Sequence, residues 1–414
     1  MRDGAIMAAA VMRADHMQEA KEYVDWVTTF QEQNGRVPPI IYTENGGYVA
    51  KQDKNLNEYD AQGEYVFAVA EYYRFTKDQE FLKAKFPHVL DDLKYMEELR
   101  KTRMTDEFKQ PTGDKRRYYG ILPESISHEG YSAPGKHSYW DDFWGLKGLK
   151  DAEYLAQNLG KDDLVPQMKE EEDDFRKCLL TSIELSQKDK NIKFVPGCAE
   201  LGDFDATSTA ISVWPTRESK YLPQESLFFT LDKYYNETFL PRLKEGLKYG
   251  YTPYEIRTAN AYLILGEKEK ALSMLNYFLT DMRPRSWNHW GEVVHPGYRE
   301  PKYVGDMPHT WEGAIYINFV RNLFAYETND QLILAAGVDS KWLDSPKGIT
   351  VTDLPTYYGK ISYSVKKENG ILNLKVWGNA QPSAGIVFKS PINDDEIKID
   401  KLPAETEIYY EAND

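Results

Sequence analysis

The segment from Arg285 to Arg321 has the densest group of residues that could do chemistry in this 414-residue sequence. Its carboxylate, Glu292, closely follows Trp287, His289 and Trp290 and precedes a loop punctuated by Gly and Pro. Indole faces can cover the apolar side of a sugar ring, while a carboxylate acts on water or on a hydroxyl. The alternative is a packed loop with a solvated glutamate, so a sugar site here needs a second carboxylate.

The loop from Tyr118 to His137 offers two candidates for that second carboxylate, Glu124 and Glu129. The helix predicted after this loop bears Trp140 and Asp141 at its start. A general acid must hold a proton near neutral pH, which partial burial among aromatic rings and a nearby carboxylate both favour. Glu124 directly follows Leu-Pro and is the better candidate. In the alternative, it lies on the surface and the aspartates only stabilise the helix N-terminus.

Further polar residues stand at predicted helix starts. Arg2 and Asp3 could clamp sugar hydroxyls, because the guanidinium donates hydrogen bonds and the carboxylate accepts them. Asp60, Asp203 and Asp205 stand before or at the start of other helices, and Asp is also a favoured N-cap. We therefore rank these residues as secondary candidates for substrate binding.

Other kinds of chemistry lack a signature. The seven histidines show no HExxH or other close ligand spacing, and Cys178 and Cys198 form no CxxC motif. The sequence has neither a Gly-rich phosphate loop nor a GxSxG motif. We therefore predict no metal and no cofactor. The two cysteines are compatible with one disulfide bridge. Of the reaction types considered, hydrolysis by a pair of carboxylates is the one left.

The net charge of −15 argues against binding to nucleic acid, whose phosphates would be repelled. No apolar run approaches the length of a membrane span, and Gly4 to Met12 lacks the pattern of a signal peptide. We predict no membrane contact, and the cytoplasm, the periplasm and the extracellular space all stay open. Because the chain starts directly on a buried-looking helix, we expect it to be the C-terminal part of a longer protein.

Helical hairpins are predicted from Ala5 to about Asp344. Apolar residues recur with helical spacing, as at Ala20, Val24 and Val27, and short turns alternate with long loops. The loops, rich in Gly, Pro, Tyr and Asn, span residues 34–57, 105–137, 191–205, 249–253 and 283–309. This alternation is typical of a closed ring of hairpins with its site at the long-loop end. About eleven helices are predicted, so we expect a mostly α protein, an (α/α)6 barrel that lacks its first helix.

After Trp342 the apolar period becomes two, which indicates strands. Glu368-Asn369-Gly370 separates two such runs, and Asn-Gly readily takes the φ > 0 conformations of a type I′ turn. We therefore predict a barrel domain over residues 1–344 and a small antiparallel β-sandwich over 345–414.

The order of these pieces resembles the glucoamylase-type (α/α)6 glycosidases, a group that includes trehalases, debranching glucosidases and rhamnosidases. MRDGAIMAAAVM resembles the early helix whose Arg-Asp pair binds the terminal sugar, which implies that role for Arg2 and Asp3. LPESISHEGY followed by HSYWDDFWGLKGL is similar to the segment of the general acid and implies Glu124. HWGEVVHPGYREPKYVGDMPHTWEGAIYI resembles the segment of the general base and implies Glu292.

The resemblance also has departures. The family's N-terminal β-domain and first barrel helix are missing from this sequence, whereas the β-tail resembles the C-terminal sandwich of the rhamnosidases. The glutamate that often adjoins the family's acid is Ser125 here, so Glu129 stays open as the acid.

The resemblance implies hydrolysis of oligosaccharides or polysaccharides with inversion, in which Glu124 protonates the leaving oxygen and Glu292 deprotonates water. Such a pair stands about 6.5–9.5 Å apart. We expect Arg2, Asp3, Asp60 and Asp141 to bind the sugar, and five tryptophans to act as stacking walls or core: Trp140, Trp144, Trp287, Trp290 and Trp311.

Two other classes of protein stay open. One is a carbohydrate-binding barrel without activity. The other is a polysaccharide lyase or sugar epimerase using His128, His137, His289 or His309. The substrate sugar, the linkage and the oligomeric state are not specified by the sequence.

Overall fold

The computed structural model describes residues 1–49, 57–110, 113–127, 130–283, 285–297, 305–393 and 395–410. The α-helices lie in the part of the chain that ends at Phe324, with turns and loops between them. Their bounds are α1 (Arg2–Arg13), α2 (Met17–Thr28), α3 (Asp60–Thr76), α4 (Gln79–Lys101), α5 (Asp106–Lys109), α6 (Tyr139–Asn158), α7 (Val165–Lys190), α8 (Ala206–Ala210), α9 (Gln224–Tyr234), α10 (Leu240–Glu245), α11 (Ile256–Ile264), α12 (Lys268–Thr280) and α13 (Thr310–Phe324). In the described part of the chain, no helix is long and apolar enough to cross a membrane.

Short turns join consecutive helices, as the sequence predicts, and four of them share one feature. Each contains one residue with positive φ: Asp15 (69°) after α1, Lys77 (55°) after α3, Gly160 (66°) after α6 and Gly266 (90°) after α11. A left-handed residue ends a helix within one turn and lets the chain reverse. Asp78 then starts α4 by accepting hydrogen bonds from the backbone N–H groups of its second and third residues.

Helix α3 is buried from Asp60 to Tyr73, as its apolar sequence predicts. It approaches α6 very closely, because a Cβ atom at Gly63 would lie 1.9 Å from the carbonyl oxygen of Trp144. On the other side of this contact, a Cβ atom at Gly148 would lie 3.0 Å from the Cα atom of Gly63. The two glycines therefore let the first turn of α3 pack directly against the second and third turns of α6.

The strands form a β-sandwich. Their bounds are β1 (Ala325–Thr328), β2 (Gln331–Leu334), β3 (Ile349–Thr356), β4 (Gly359–Glu368), β5 (Ile371–Gly378), β6 (Ile386–Lys389), β7 (Glu396–Ile399) and β8 (Ala404–Tyr409). One sheet has the order β1-β2-β6-β7 and the other the order β3-β4-β5-β8. All neighbours pair antiparallel except β2 and β6, which pair parallel. Side chains from both sheets share one core, among them Leu332, Phe388, Tyr363 and Leu374.

The helical part ends earlier than predicted. Helix α13 stops at Phe324, twenty residues before Asp344, and β1 and β2 follow it at once. These strands are four residues long, and periodicity alone cannot distinguish an apolar run as short as Gln331–Leu334 from a helix.

The chain divides into two compact units. The first unit comprises Met1–Ala8, Lys21–Tyr73 and Asp78–Lys248, and the second comprises Ala9–Ala20, Arg74–Lys77 and Tyr249–Asp414. The first unit contains the loop of Glu124, and the second contains Glu292 together with the sandwich. A domain boundary at residue 344 stays a prediction.

Replacing Gly370 by Ala is expected to lower the free energy of unfolding by about 1–2 kcal/mol, because L-residues other than Asn and Asp resist left-handed φ. The turn has φ of 48° at Asn369 and 78° at Gly370, between the paired residues Glu368 and Ile371. Urea titration measures the effect. Gly113→Ala is the matched control, since Gly113 has φ of −82°. Equal losses in the two variants would contradict this account of the turn.

Candidate active site

Arg2 lies in a buried group of charged side chains in the first unit. Its Nε donates to Asp60 Oδ2 at 2.9 Å, and its Nη2 donates to Glu58 Oε2 at 2.9 Å and to the carbonyl oxygen of Ser127 at 3.1 Å. The indole Nε1 of Trp140 donates to the same Asp60 oxygen at 2.8 Å. The structure thus brings together residues that are far apart in the sequence but were predicted to share one site.

We call Arg2, Glu58, Asp60, Trp140 and Asp141 the charged cluster. Its members from helices belong to the first turns of α1, α3 and α6. The close approach of α3 and α6 described above holds the first turn of α3 against α6. Helix N-termini carry partial positive charge, so they favour the carboxylates of Asp60 and Asp141.

Asp141 completes the charged cluster. Its Oδ2 accepts hydrogen bonds from Ser125 Oγ at 2.5 Å and from the Tyr59 N–H at 3.4 Å. Burial, and then the negative charge of Asp60, raise the pKa of Asp141 well above its ordinary value. Oδ1 of Asp60 and Oδ1 of Asp141 have no hydrogen-bond partner among the described residues. Oδ1 of Asp60 can therefore accept a hydrogen bond from a hydroxyl group of a ligand, and the protonated carboxyl group of Asp141 can donate one or accept one.

The surroundings of Arg2 stabilise its charged form. Burial alone would lower the pKa of its guanidinium, but the negative charges of Asp60, Glu58, Glu64 and Asp3 raise it well above its ordinary value. Asp3 itself is half-buried, and the described residues give its side chain no hydrogen bond. Arg2 is paired with Asp60 and Glu58, and the role of Asp3 in binding sugar hydroxyls stays a prediction.

Glu124 lies in a different environment from the one its predicted role requires. Its carboxylate forms an ion pair with Arg103, and Oε2 lies 3.8 Å from Nε2 of His137. The imidazole Nδ1 lies 2.7 Å from Glu200 Oε1, and the ring stacks on Tyr118 at 4.2 Å between centroids. Burial would raise the pKa of Glu124, but His137, the Glu124 backbone and Arg103 lower it overall. A general acid needs a raised pKa, so in this arrangement Glu124 is a carboxylate.

The alternative acid, Glu129, and its neighbour His128 lie outside the described residues.

Glu292 is half-buried in a loop of the second unit. Its N–H donates to the carbonyl oxygen of Asp306 at 3.0 Å, and a Cβ atom at Gly305 would lie 3.3 Å from Oε2. The backbone groups of Val294 and Tyr251 exchange hydrogen bonds of 2.8 and 2.9 Å two residues further on. The loop of Glu292 is therefore fixed by backbone contacts on both sides.

The tryptophans of the second unit differ in exposure. Trp287 is 61% exposed, so its indole face is available for stacking. Trp290 is only 5% exposed, and its Nε1 donates to the carbonyl oxygen of Phe278 at 3.0 Å. Trp311 is also buried, with the guanidinium of Arg257 4.8 Å from its ring centroid. Trp290 is therefore packed in the core, which is one of the two roles predicted for these tryptophans.

Two residues that contact the predicted site residues, Glu58 and Ser125, were not among the residues predicted from the sequence. Glu58 stands two residues before Asp60, and Ser125 directly follows Glu124, so both were adjacent to residues already singled out. Asp205, in contrast, caps α8 through hydrogen bonds from the backbone of Thr207 and Ser208, as the alternative interpretation held. Glu58 and Ser125 could have been found because they lie close in the sequence to Asp60 and Glu124.

Cys178 and Cys198 are both buried and are not bonded to each other. Within the described ranges, no group of three or more His, Cys, Asp or Glu side chains is placed to hold a metal ion.

Asp142 is expected to make stability depend on pH. Burial raises its pKa to about 8, although its Oδ1 accepts a hydrogen bond from the Leu122 N–H at 2.9 Å. The folded chain therefore keeps a proton that the unfolded chain releases above pH ~4. The free energy of unfolding should fall by about 1.4 kcal/mol per pH unit between pH 5 and 7 through this group.

Asp142→Asn retains the acceptor for Leu122 and removes the titrating proton. Urea titrations at pH 5, 6 and 7 should show the variant gaining stability relative to the natural chain as the pH rises. Asp189→Asn is the control, because Asp189 pairs with Arg117 and has a lowered pKa. A stability difference for Asp142→Asn that is constant across this range would contradict the assignment.

Comparisons with known proteins bear on the fold. No protein-family model matches the chain, and no curated protein matches its sequence. The structure is similar to that of a GH78 family rhamnosidase of Bacillus sp. GL1, with a TM-score of 0.59 and 12% identity over 90% of this chain and 37% of that chain. An α-L-rhamnosidase from Aspergillus terreus gives a TM-score of 0.58 and 11% identity over 98% of this chain and 45% of that chain.

A third similar structure is the GH63 mannosylglycerate hydrolase from Thermus thermophilus, with a TM-score of 0.50 and 12% identity over 77% of this chain and 92% of that chain. The chain thus spans less than half the length of the two rhamnosidases. At such low identity the likeness is evidence for the fold alone. It confirms the predicted fold class: the chain has the fold of the (α/α)6-barrel glycosidases, with a C-terminal β-sandwich.

Proposed function

We propose that this protein hydrolyses glycosidic bonds. The observation that supports this best is the charged cluster, in which Arg2 is a hydrogen-bond donor and Asp60 and Asp141 each keep one carboxyl oxygen without a partner among the described residues. A sugar presents neighbouring hydroxyl groups that both donate and accept hydrogen bonds, so it suits such a mixed set. A buried site also strengthens these bonds, because water competes less for them.

In the proposed reaction, Glu292 is the general base. It takes a proton from a water molecule that attacks the anomeric carbon, while the glycosidic oxygen leaves with a proton from an acid on the opposite face. Glu292 is half-buried, and it makes no ion pair with another described residue. Its carboxylate oxygens can therefore accept hydrogen bonds from that water.

The acid comes from the loop of Glu124. In the structure, the ion pair with Arg103 keeps Glu124 ionised, so Glu124 must first gain a proton. A substrate that separates Glu124 from Arg103 and excludes water raises the pKa of this carboxyl group by both changes. Glu129 is the alternative acid.

The lyase and epimerase alternatives would need a histidine to abstract a proton from a sugar carbon. Both ring nitrogens of His137 are engaged: Nδ1 with Glu200, and Nε2 as acceptor for Arg103 Nε at 3.1 Å. This arrangement favours hydrolysis over a lyase reaction at His137.

Hydrolysis is tested with a panel of p-nitrophenyl glycosides, including α-L-rhamnoside, α-D-mannoside and α-D-glucoside, and with reduced oligosaccharides. Proton NMR during the first turnovers records the anomeric configuration of the released sugar. We expect at least one substrate to be cleaved with inverted configuration. Cleavage of none would overturn the proposed function, retained configuration would overturn the inverting pair, and an unsaturated product absorbing in the ultraviolet would indicate a lyase.

The identity of the acid is tested by changing the leaving group. A variant that lacks the acid should lose little activity on a 2,4-dinitrophenyl glycoside, which departs without protonation, and much more on an alkyl glycoside. We expect this pattern for Glu124→Gln. If only Glu129→Gln shows it, Glu129 is the acid.

A further inference from the structure

A short hairpin after α2 is anchored beside the charged cluster. The side-chain amide of Gln62 pairs with both backbone groups of Val37, at 2.9 and 3.0 Å. The carbonyl oxygen of Pro39 accepts a hydrogen bond from the Met1 nitrogen. Met1 directly precedes Arg2, and Gln62 lies two residues beyond the start of α3. The hairpin therefore starts next to two segments that build the charged cluster.

The hairpin holds two tyrosines at the surface. The Tyr42 N–H donates to the carbonyl oxygen of Gly47 at 2.7 Å, and the Val49 N–H donates to that of Ile40 at 3.1 Å. Gly46 has φ of 70° at the turn, where a glycine fits best. Tyr42 and Tyr48 are 41% and 40% exposed on this closed loop.

Two more rings come from the last turn of α2 and from the residues just after it. Trp26 and Phe30 stand four residues apart, and their centroids are 5.1 Å apart. The ring of Phe30 lies 6.3 Å from that of Tyr48, and Trp26 is 38% exposed. We call Trp26, Phe30 and Tyr48 the aromatic platform. Tyr42 lies on the opposite face of the hairpin, because Tyr48 is paired with Ile41 and Tyr42 with Gly47. The three platform residues belong to the first unit.

We propose that the aromatic platform binds sugar units of an oligosaccharide or polysaccharide beyond the unit held by the charged cluster. This inference rests on the proposed function and names its substrate class as an extended carbohydrate chain. Trp and Tyr rings have an apolar face and a polar edge, and sugar rings have the complementary surface. The anchors at Val37 and Pro39 tie the hairpin that carries Tyr48 to Gln62 and Met1, which lie next to members of the charged cluster in the sequence.

The size of the aromatic platform favours this ligand over a second protein chain. Each ring exposes less than half of the roughly 150–250 Å² that an aromatic side chain can bury, so the three rings offer at most a few hundred Å². A stable protein interface buries about 1,200–2,000 Å² in total. The residues at the turn are Thr43, Glu44 and Asn45, all exposed and able to hydrogen-bond to hydroxyl groups.

The proposal is tested by affinity electrophoresis of the full chain in gels containing rhamnogalacturonan, galactomannan, xyloglucan or pullulan. We expect at least one polymer to retard the natural chain. The double variant Trp26→Ala/Tyr48→Ala should bind that polymer at least about tenfold more weakly, and Tyr42→Ala, on the opposite face of the hairpin, should bind it normally. Phe229→Ala is the matched control, since Phe229 is 41% exposed on α9, and it should bind normally. No retardation by any polymer, or equal retardation of the double variant, would overturn the proposal.

Two further measurements separate this inference from the proposed function. Retardation needs no hydrolysis, so Glu292→Gln should be retarded like the natural chain even where it cleaves nothing. The double variant should keep its kcat/KM on an aryl glycoside that is too short to reach the aromatic platform. If sedimentation instead shows that the double variant breaks a dimer of the natural chain into monomers, the surface is an interface between copies and the proposal is wrong.

Discussion

Glu292→Gln is expected to lower kcat on the glycoside that the chain hydrolyses by about 10²–10⁴-fold, with little change in KM. The amide has nearly the size of the carboxyl group, so the backbone contacts of Glu292 with Asp306 and its approach to Gly305 should persist. It cannot accept the proton of the attacking water, which is the step assigned to Glu292. Steady-state kinetics of both proteins measure the loss directly.

Asp306→Asn is the matched control for this prediction. Asp306 is a largely exposed carboxylate whose backbone, and not its side chain, accepts the hydrogen bond from Glu292. This variant should stay within a few-fold of the natural kcat. If Glu292→Gln retains more than a tenth of the activity, another residue is the base. The loss should also be similar for good and poor leaving groups, unlike the loss caused by removing the acid.

Local signals explain why much of the helical part could be predicted. The turns at Asp15, Lys77, Gly160 and Gly266 each combine the end of an apolar stripe with a residue that tolerates or takes positive φ. Such information lies within a few residues of sequence. Strands β1 and β2 were missed because they are short and belong to a sheet that is completed late in the sequence. β1 pairs with β2, and β2 pairs with β6, which comes more than fifty residues later.

The candidate site was predictable in part. Arg2, Asp60, Trp140 and Asp141 stand at helix starts, and starts of neighbouring hairpins lie close together when glycines allow close packing. The environment of Glu124 was not predictable, because it depends on which distant side chains reach it. Arg103 and His137 come from positions 21 residues before and 13 residues after it and reverse the pKa shift that a general acid needs.

Arg2→Met is expected to lower the free energy of unfolding by about 3–5 kcal/mol, because it leaves buried carboxylates without their counter-charge. Arg2 is the ion-pair partner of both Glu58 and Asp60, at 2.9 Å each, and all three side chains are at least nine-tenths buried. Methionine fills most of the volume of the arginine side chain. The loss of stability therefore comes from the missing charge and not from a cavity. Urea titration at pH 7 measures it, and activity should fall with the loss of the hydrogen-bond donor.

A second variant provides an internal check on that explanation. The double variant Arg2→Met/Asp60→Asn should be more stable than Arg2→Met alone, since one unpaired charge is gone. Arg117→Met removes the ion pair with the exposed carboxylate of Asp189 and should cost much less stability than Arg2→Met. Equal losses of unfolding free energy for Arg2→Met and Arg117→Met would show that the charged cluster is not a buried network. That result would also contradict its proposed role as a preorganised sugar site.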